Sequence, residues 1–131
     1  METTYDITLA GGKKVNVAMR DFTISTDQPL SDGGQNSAPA PFELFLASLG
    51  TCAGYFVVSF CQARNIPAEG IKMTQTVIRN DANHMVEKIV IDISLPAGFP
   101  DKYKDAVIRA AESCTVRKHL ATPPQIQVNA R

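Results

Sequence analysis

Hydrophobic positions alternate with polar or small ones through the first part of the chain: Tyr5, Ile7 and Leu9, then Val15, Val17 and Met19. A period of two predicts antiparallel strands, and Gly11-Gly12 supplies the turn between them. Phe22 and Ile24 extend the segment beyond Arg20-Asp21. At Pro41 the pattern changes. From Leu44 to Cys61 no residue is charged, a run of about 18 residues that is too long for one strand and long enough to test against a bilayer. A helix over 41–64 is the better reading, since Pro41 suits the first helical turn, and it should end before Pro67 and Gly70. Being apolar almost all round, this helix is expected to be buried on every side. Ser48, Gly50, Thr51, Gly54 and Ser59 interrupt the run, and no basic cluster flanks it. The half-apolar segments around it also need something to cover. A soluble core helix wrapped by sheet satisfies both demands better than a membrane span.

Downstream, residues 71–79 (IKMTQTVIR) read as a strand, Asp81-Ala82-Asn83 as a turn, and Ile89, Ile91, Ile93 and Leu95 as a second alternating strand. A second helix is predicted from about Pro100. It presents Tyr103, Val107, Ala110, Ala111 and Cys114 on one narrow face, suited to close packing on the first helix. Residues 115–121 should add a further helical turn or two, stopped by Pro123-Pro124, with Ile126 and Val128 in a last strand. The strands cluster and are linked by hairpins, so the fold class is α+β with antiparallel sheet, in a single domain over 1–131. The segment TDQPLSDGGQNSAPA, residues 26–40, is a long polar loop, either functional or a crossover. Its Gly33-Gly34 is not a phosphate loop, because no Lys-Ser/Thr follows at the required spacing.

Charge narrows the function. Lys+Arg and Asp+Glu balance at 13 each, which removes the electrostatic case for nucleic acid or an anionic membrane as main partner. The start, METTYDITLAGGKK, has no apolar stretch of the secretory type. Three cysteines fit no disulfide framework or zinc module, so a reducing, cytoplasmic home is expected. His84 and His119 stand alone, without a metal-ligating partner at helical or hairpin spacing, and no serine-nucleophile or dinucleotide motif occurs. No metal and no cofactor are expected.

The cysteines remain. At about 100° per residue, Cys52 shares a helical face with Phe45, Ser48, Leu49, Tyr55, Phe56 and Ser59, whereas Cys61 faces away. If the two long helices pack together, Cys52 and Cys114 are the pair able to meet. Buried cysteine is also a common small hydrophobe, so each thiol has a purely structural reading. A reactive Cys52 needs a thiolate, and a mid-helix position gives it little help from its own helix dipole. A cation from elsewhere would be required, and Arg20 is the sole arginine before Cys52.

PFELFLASLGTC, followed about sixty positions later by the cysteine of ESCTVRKHLATPPQIQV, resembles the OsmC/Ohr family of osmotically inducible and organic hydroperoxide resistance proteins. The lead-in DQP…GG…P-x-E-L and the C-x-V-x-x-x-L segment occur in the family's order across nearly the whole chain. The resemblance implies antiparallel sheets wrapped around long central helices in an intertwined homodimer. It implies a thiol-dependent peroxidase: Cys52 attacks an organic hydroperoxide, Cys114 resolves the sulfenic acid as a disulfide, and an external dithiol of the lipoyl type reduces it. Arg20 would activate Cys52, with Glu43 to orient it. The hydroperoxide reductases of the family carry a glutamate directly after the proline for that purpose. Here Phe42 stands in that place and Glu43 follows, turned by about 100° on a helix. That shift favours a rival on the same fold: a small-molecule binding or sulfur-handling protein without peroxidase activity.

Overall fold

The structure, a computed structural model, describes residues 1–131. The chain divides into two compact units, Met1–Ala47 and Ser48–Arg131.

The first unit is built on a three-stranded antiparallel sheet of β1 (Asp6–Leu9), β2 (Val15–Met19) and β3 (Phe22–Thr26), in that spatial order. The expected alternation sets the register: Ile7, Val17 and Ile24 lie opposite one another across the sheet. The β1–β2 turn needs Gly11 and Gly12, whose φ angles are 93° and 58°. The two-residue β2–β3 turn instead places Arg20 at φ 53°, and its guanidinium lies 5.0 Å from the Phe22 ring centroid. The polar loop after β3 is tied around one side chain. Asp27, 1% exposed, accepts from the N–H groups of Gln28, Gln35 and Ser37 and from the Ser37 hydroxyl at 2.6 Å. Those donors hold the carboxyl at about 2, well below its ordinary range. Gly34 is required here by space, since a Cβ would fall 2.0 Å from the Gln28 carbonyl oxygen.

The loop leads into α1 (Pro41–Ala63), which runs across the division between the units. Pro41 opens it, as expected. The Glu43 carboxylate reaches back to accept the Ala40 N–H at 3.0 Å, one half of a capping box that satisfies an otherwise orphaned donor. At the far end Asn65 takes a left-handed φ of 54°, and the Ile66 N–H closes on the Cys61 carbonyl at 2.9 Å.

In the second unit, β4 (Lys72–Arg79) and β5 (Val86–Ser94) form an antiparallel hairpin. Met73, Gln75 and Val77 lie opposite Ile93, Ile91 and Ile89, so one sheet face is apolar apart from Gln75. A short 3-10 turn, Asp101–Tyr103, precedes α2 (Lys104–Glu112), and α3 (Thr115–Ala121) follows at once. The core is Val57, Phe60 and Cys61 of α1 with Phe99 and Val107, and Tyr103 stands edge-on to Phe60. The predicted α2 face is thus the packed one.

Two expectations are corrected. The long helix is not buried on every side: Leu49, Ala53, Val57, Phe60 and Cys61 form one buried stripe, while Phe42, Tyr55 and Val58 are exposed. One two-stranded sheet and a narrow helix cover only part of a cylinder whose apolar residues run all round. By length and composition α1 would also span a bilayer. The final strand does not form either. Within the single chain, residues 123–131 have no regular structure, and Ile126 and Val128 are almost fully exposed.

Candidate active site

Two of the three cysteines come together, and they are the pair that helix phasing singles out. Cys52 sits on α1 between Leu49 and Ala53, half-buried, with Cys114 at the start of α3 beside it. Cys61 points into the core and is fully buried there among Val57, Phe60, Phe99 and Val107. Burial pushes the Cys61 thiol up, against a smaller opposing pull from Arg64.

The environment of Cys52 is different. Burial alone would raise its pKa. The Val116 N–H, the Cys114 thiol, the Thr115 N–H and the Thr115 hydroxyl all donate to its sulfur, and together they bring the thiol below its ordinary value. Cys114 moves the other way. Burial raises it, and hydrogen bonding and repulsion from Cys52 add to this, against the N–H groups of Arg117 and Val116. Of the two, Cys52 therefore gives up its proton first and Cys114 keeps its own.

Sequence reasoning misses these donors. The helix of Cys52 itself offers nothing at that position, but the first turn of α3 points its amides at the sulfur. A signal for them does exist: a predicted helix beginning directly after Cys114 puts free N–H groups within reach of anything that touches Cys114.

The other candidates lie as follows. Arg20 belongs to the first unit, in the β2–β3 turn against Phe22. Glu43 also belongs to that unit and is engaged at the N-terminus of its own helix. His84 occupies an exposed turn with φ 59°, and a ring nitrogen of His119 lies 2.7 Å from the Thr115 carbonyl oxygen on α3. No group of three or more His, Cys, Asp or Glu side chains is placed to hold a metal ion.

Beside the thiols lies a cavity of about 550 Å³. Leu49, Ala53, Ile89, Ile91, Ile93, Ile108 and Leu120 make its wall mainly aliphatic, and Asp92, Glu112 and Arg117 add charge. Cys114 lines it as well. A partly exposed thiol of lowered pKa, a second thiol in hydrogen-bond contact and an aliphatic cavity can together support thiol chemistry on a substrate with a hydrocarbon part.

Comparison with known proteins bears on the same residues. The profile of the family described as OsmC-like protein matches residues 34–129. No curated protein matches the chain. Among solved structures, a putative osmotic stress induced and detoxification response protein from Psychrobacter arcticus superposes with a TM-score of 0.75 at 22% identity, covering 90% of this chain and 88% of its own. An OsmC like protein from Mycoplasma pneumoniae gives 0.68 at 18% identity, covering 94% and 91%. An organic hydroperoxide resistance protein from Elizabethkingia anophelis gives 0.60 at 20% identity, covering 97% and 93%. At these identities the likeness is one of fold. The matched profile spans most of the chain, both meeting cysteines included, and the antiparallel α+β architecture agrees with it: the protein belongs to the OsmC-like family.

Proposed function

We propose that this protein is a thiol-dependent peroxidase that reduces organic hydroperoxides. The observation that carries the reading is Cys52, partly exposed, with its thiol pKa lowered by the donors of residues 114–116, the Cys114 thiol among them. The Cys52 sulfur attacks the outer peroxide oxygen, the O–O bond breaks, and the alcohol leaves with a proton, so Cys52 becomes a sulfenic acid. The Cys114 sulfur then displaces water and forms the disulfide. An external dithiol of the lipoyl type returns both thiols and becomes a cyclic disulfide itself. The aliphatic cavity supports a hydrocarbon-bearing substrate, as does the likeness to the organic hydroperoxide resistance protein of Elizabethkingia. In this reading the protein works as a cytoplasmic homodimer, with Arg20 as a second activator of Cys52, and Glu43, the candidate to orient it, engaged at the start of its own helix.

The test is turnover of cumene hydroperoxide with dihydrolipoate as reductant. Wild type should turn over, Cys52→Ser should be inactive, and Cys114→Ser should consume about one equivalent and stop. Wild type no faster than Cys52→Ser would overturn the reading.

One observation favours a second reading, an OsmC-fold binding or sulfur-handling protein. Phe42 follows Pro41, and the Glu43 carboxylate is already occupied with the Ala40 N–H. A protein of that kind would retain the thiol pair but show no hydroperoxide turnover.

A further inference from the structure

The first turn of α3 takes its acceptors from two sulfur atoms. Helix starts leave backbone N–H groups without partners. Cys114, at the N-cap with φ −48° and ψ 124°, accepts the Arg117 N–H on its sulfur at 3.4 Å. Cys52 accepts the N–H groups of Thr115 and Val116. Three successive amides are thus satisfied by the two thiols. Beyond these, α3 is tied to α2 by the Arg117 guanidinium, which donates to the Glu112 carbonyl at 3.2 Å. It has seven residues, none of them buried, and Leu120 is 51% exposed. A helix this short does not persist on its own propensity. Cys114, by contrast, is only 2% exposed, although it lines the cavity together with Arg117 and Leu120 of α3.

We infer that α3 is a redox-controlled gate over Cys114: capped and closed while both thiols are reduced, and loosened when Cys52 and Cys114 join in a disulfide, so that the Cys114 sulfur becomes open to the reducing dithiol. The inference deepens the proposed peroxidase cycle and rests on it for the source of the oxidant. Hydrogen bonds to an ionised acceptor are roughly twice as strong as neutral ones, whereas a disulfide sulfur is neutral and a weak acceptor. The disulfide also imposes its own torsion on the Cys114 side chain, drawing the sulfur from its capping position. The gate widens the reductant's access to Cys114, which is 2% exposed in the reduced state. Attack on Cys114 then breaks the S–S bond and expels Cys52 as the thiolate, the better-stabilised leaving group. The second thiol of the reductant releases Cys114 as its own ring disulfide closes, and two protons and two electrons have passed to the protein.

Diamide tests this without calling on peroxidase activity. Two protein thiols give two protons and two electrons to its N=N bond, which becomes a hydrazine, and the protein S–S bond forms. Hydrogen exchange and trypsin digestion are then compared between reduced and diamide-treated full-length protein, with the Cys52–Cys114 bridge verified by peptide mapping. Amides of 115–121 should exchange about tenfold faster after oxidation, the size of effect that loss of a helix cap produces. Cleavage after Arg117 and Lys118 should quicken, and β4 and β5 should keep their protection. Reduced Cys52→Ala, which lacks the acceptor but not the fold, should show the same fast exchange confined to 115–121. Equal protection of 115–121 in both redox states would overturn the gate. So would equal loosening of β4 and β5, or failure of diamide to bridge the pair. A gate that opens in a protein with no hydroperoxide turnover would remove the proposed substrate and leave the gate standing.

Discussion

Cys114 donates its thiol hydrogen to Cys52 while its own sulfur accepts the Arg117 N–H at 3.4 Å, so one side chain both caps a helix and favours ionisation of the neighbouring thiol. That double duty links the order of α3 to the ionisation of Cys52, and it sets the first expectation.

Alkylation of Cys52 by iodoacetamide should titrate below the ordinary cysteine range, with Cys114 and Cys61 titrating above it. Thr115→Val removes the hydroxyl donor and should move the Cys52 midpoint upward. Arg20→Ala should move it too and slow peroxide reduction about tenfold or more if the guanidinium is a second activator. Arg20→Lys should not restore the rate fully, since a point charge does not reproduce the guanidinium fork. Superimposable curves for wild type and Thr115→Val would remove the hydroxyl from the account.

Oxidation with an organic hydroperoxide should give an intramolecular Cys52–Cys114 disulfide and spare Cys61. Because Cys61 is fully buried, it should react with maleimide only once the protein is unfolded. Peptide mapping that places Cys61 in the bridge would contradict the geometry.

Glu43→Gln should be mild. Its carboxylate accepts one N–H at an exposed helix start, and weakening that bond is worth about 0.5 kcal/mol in a urea titration. Hydroperoxide turnover should stay within about twofold of wild type if capping is the main task of this side chain. A hundredfold loss would give Glu43 the orienting role.

Asp27 predicts acid sensitivity. Its folded pKa of about 2, set first by the Ser37 hydroxyl, lies below its ordinary value of 3.8. The native state therefore binds its proton more weakly than the unfolded chain does. The carboxylate contributes its full stability above the unfolded value, and that contribution is lost as pH falls from there through about 2. The urea midpoint of wild type should drop over that window. Asp27→Asn should be less stable at neutral pH and should show a smaller drop.

The exposed side of α1 predicts self-association. Tyr55 and Val58, 64% and 41% exposed, stand on a helix that is charge-free over most of its length, a surface that single soluble chains seldom leave open. Light scattering should find a dimer at micromolar concentration. Tyr55→Glu with Val58→Glu should yield monomer or aggregate, and an unaltered mass for that variant would place the interface elsewhere.

Local rules account for much of this protein. Period-two alternation predicts β1 to β5, an uncharged run opened by Pro41 predicts α1, and a spaced set of Tyr103, Val107, Ala110, Ala111 and Cys114 predicts the packed face of α2. Helix phase separates Cys52 from Cys61, because angular position on a helix is a property of the sequence, and the packing of the helices then brings Cys52 to Cys114. Other features depend on what lies opposite in space. Within the single chain, burial of α1 is limited to one stripe by the area its neighbours can cover, and the tail at Ile126 and Val128 is exposed. The knot of donors around Asp27 joins residues up to ten positions apart through a loop whose path no periodicity encodes. The ionisation of Cys52 is decided in the same way. Its own helix offers it no donors, and only the packing of a different helix brings the Thr115 and Val116 amides to its sulfur, since electrostatic stabilisation follows distance in space and not distance along the chain.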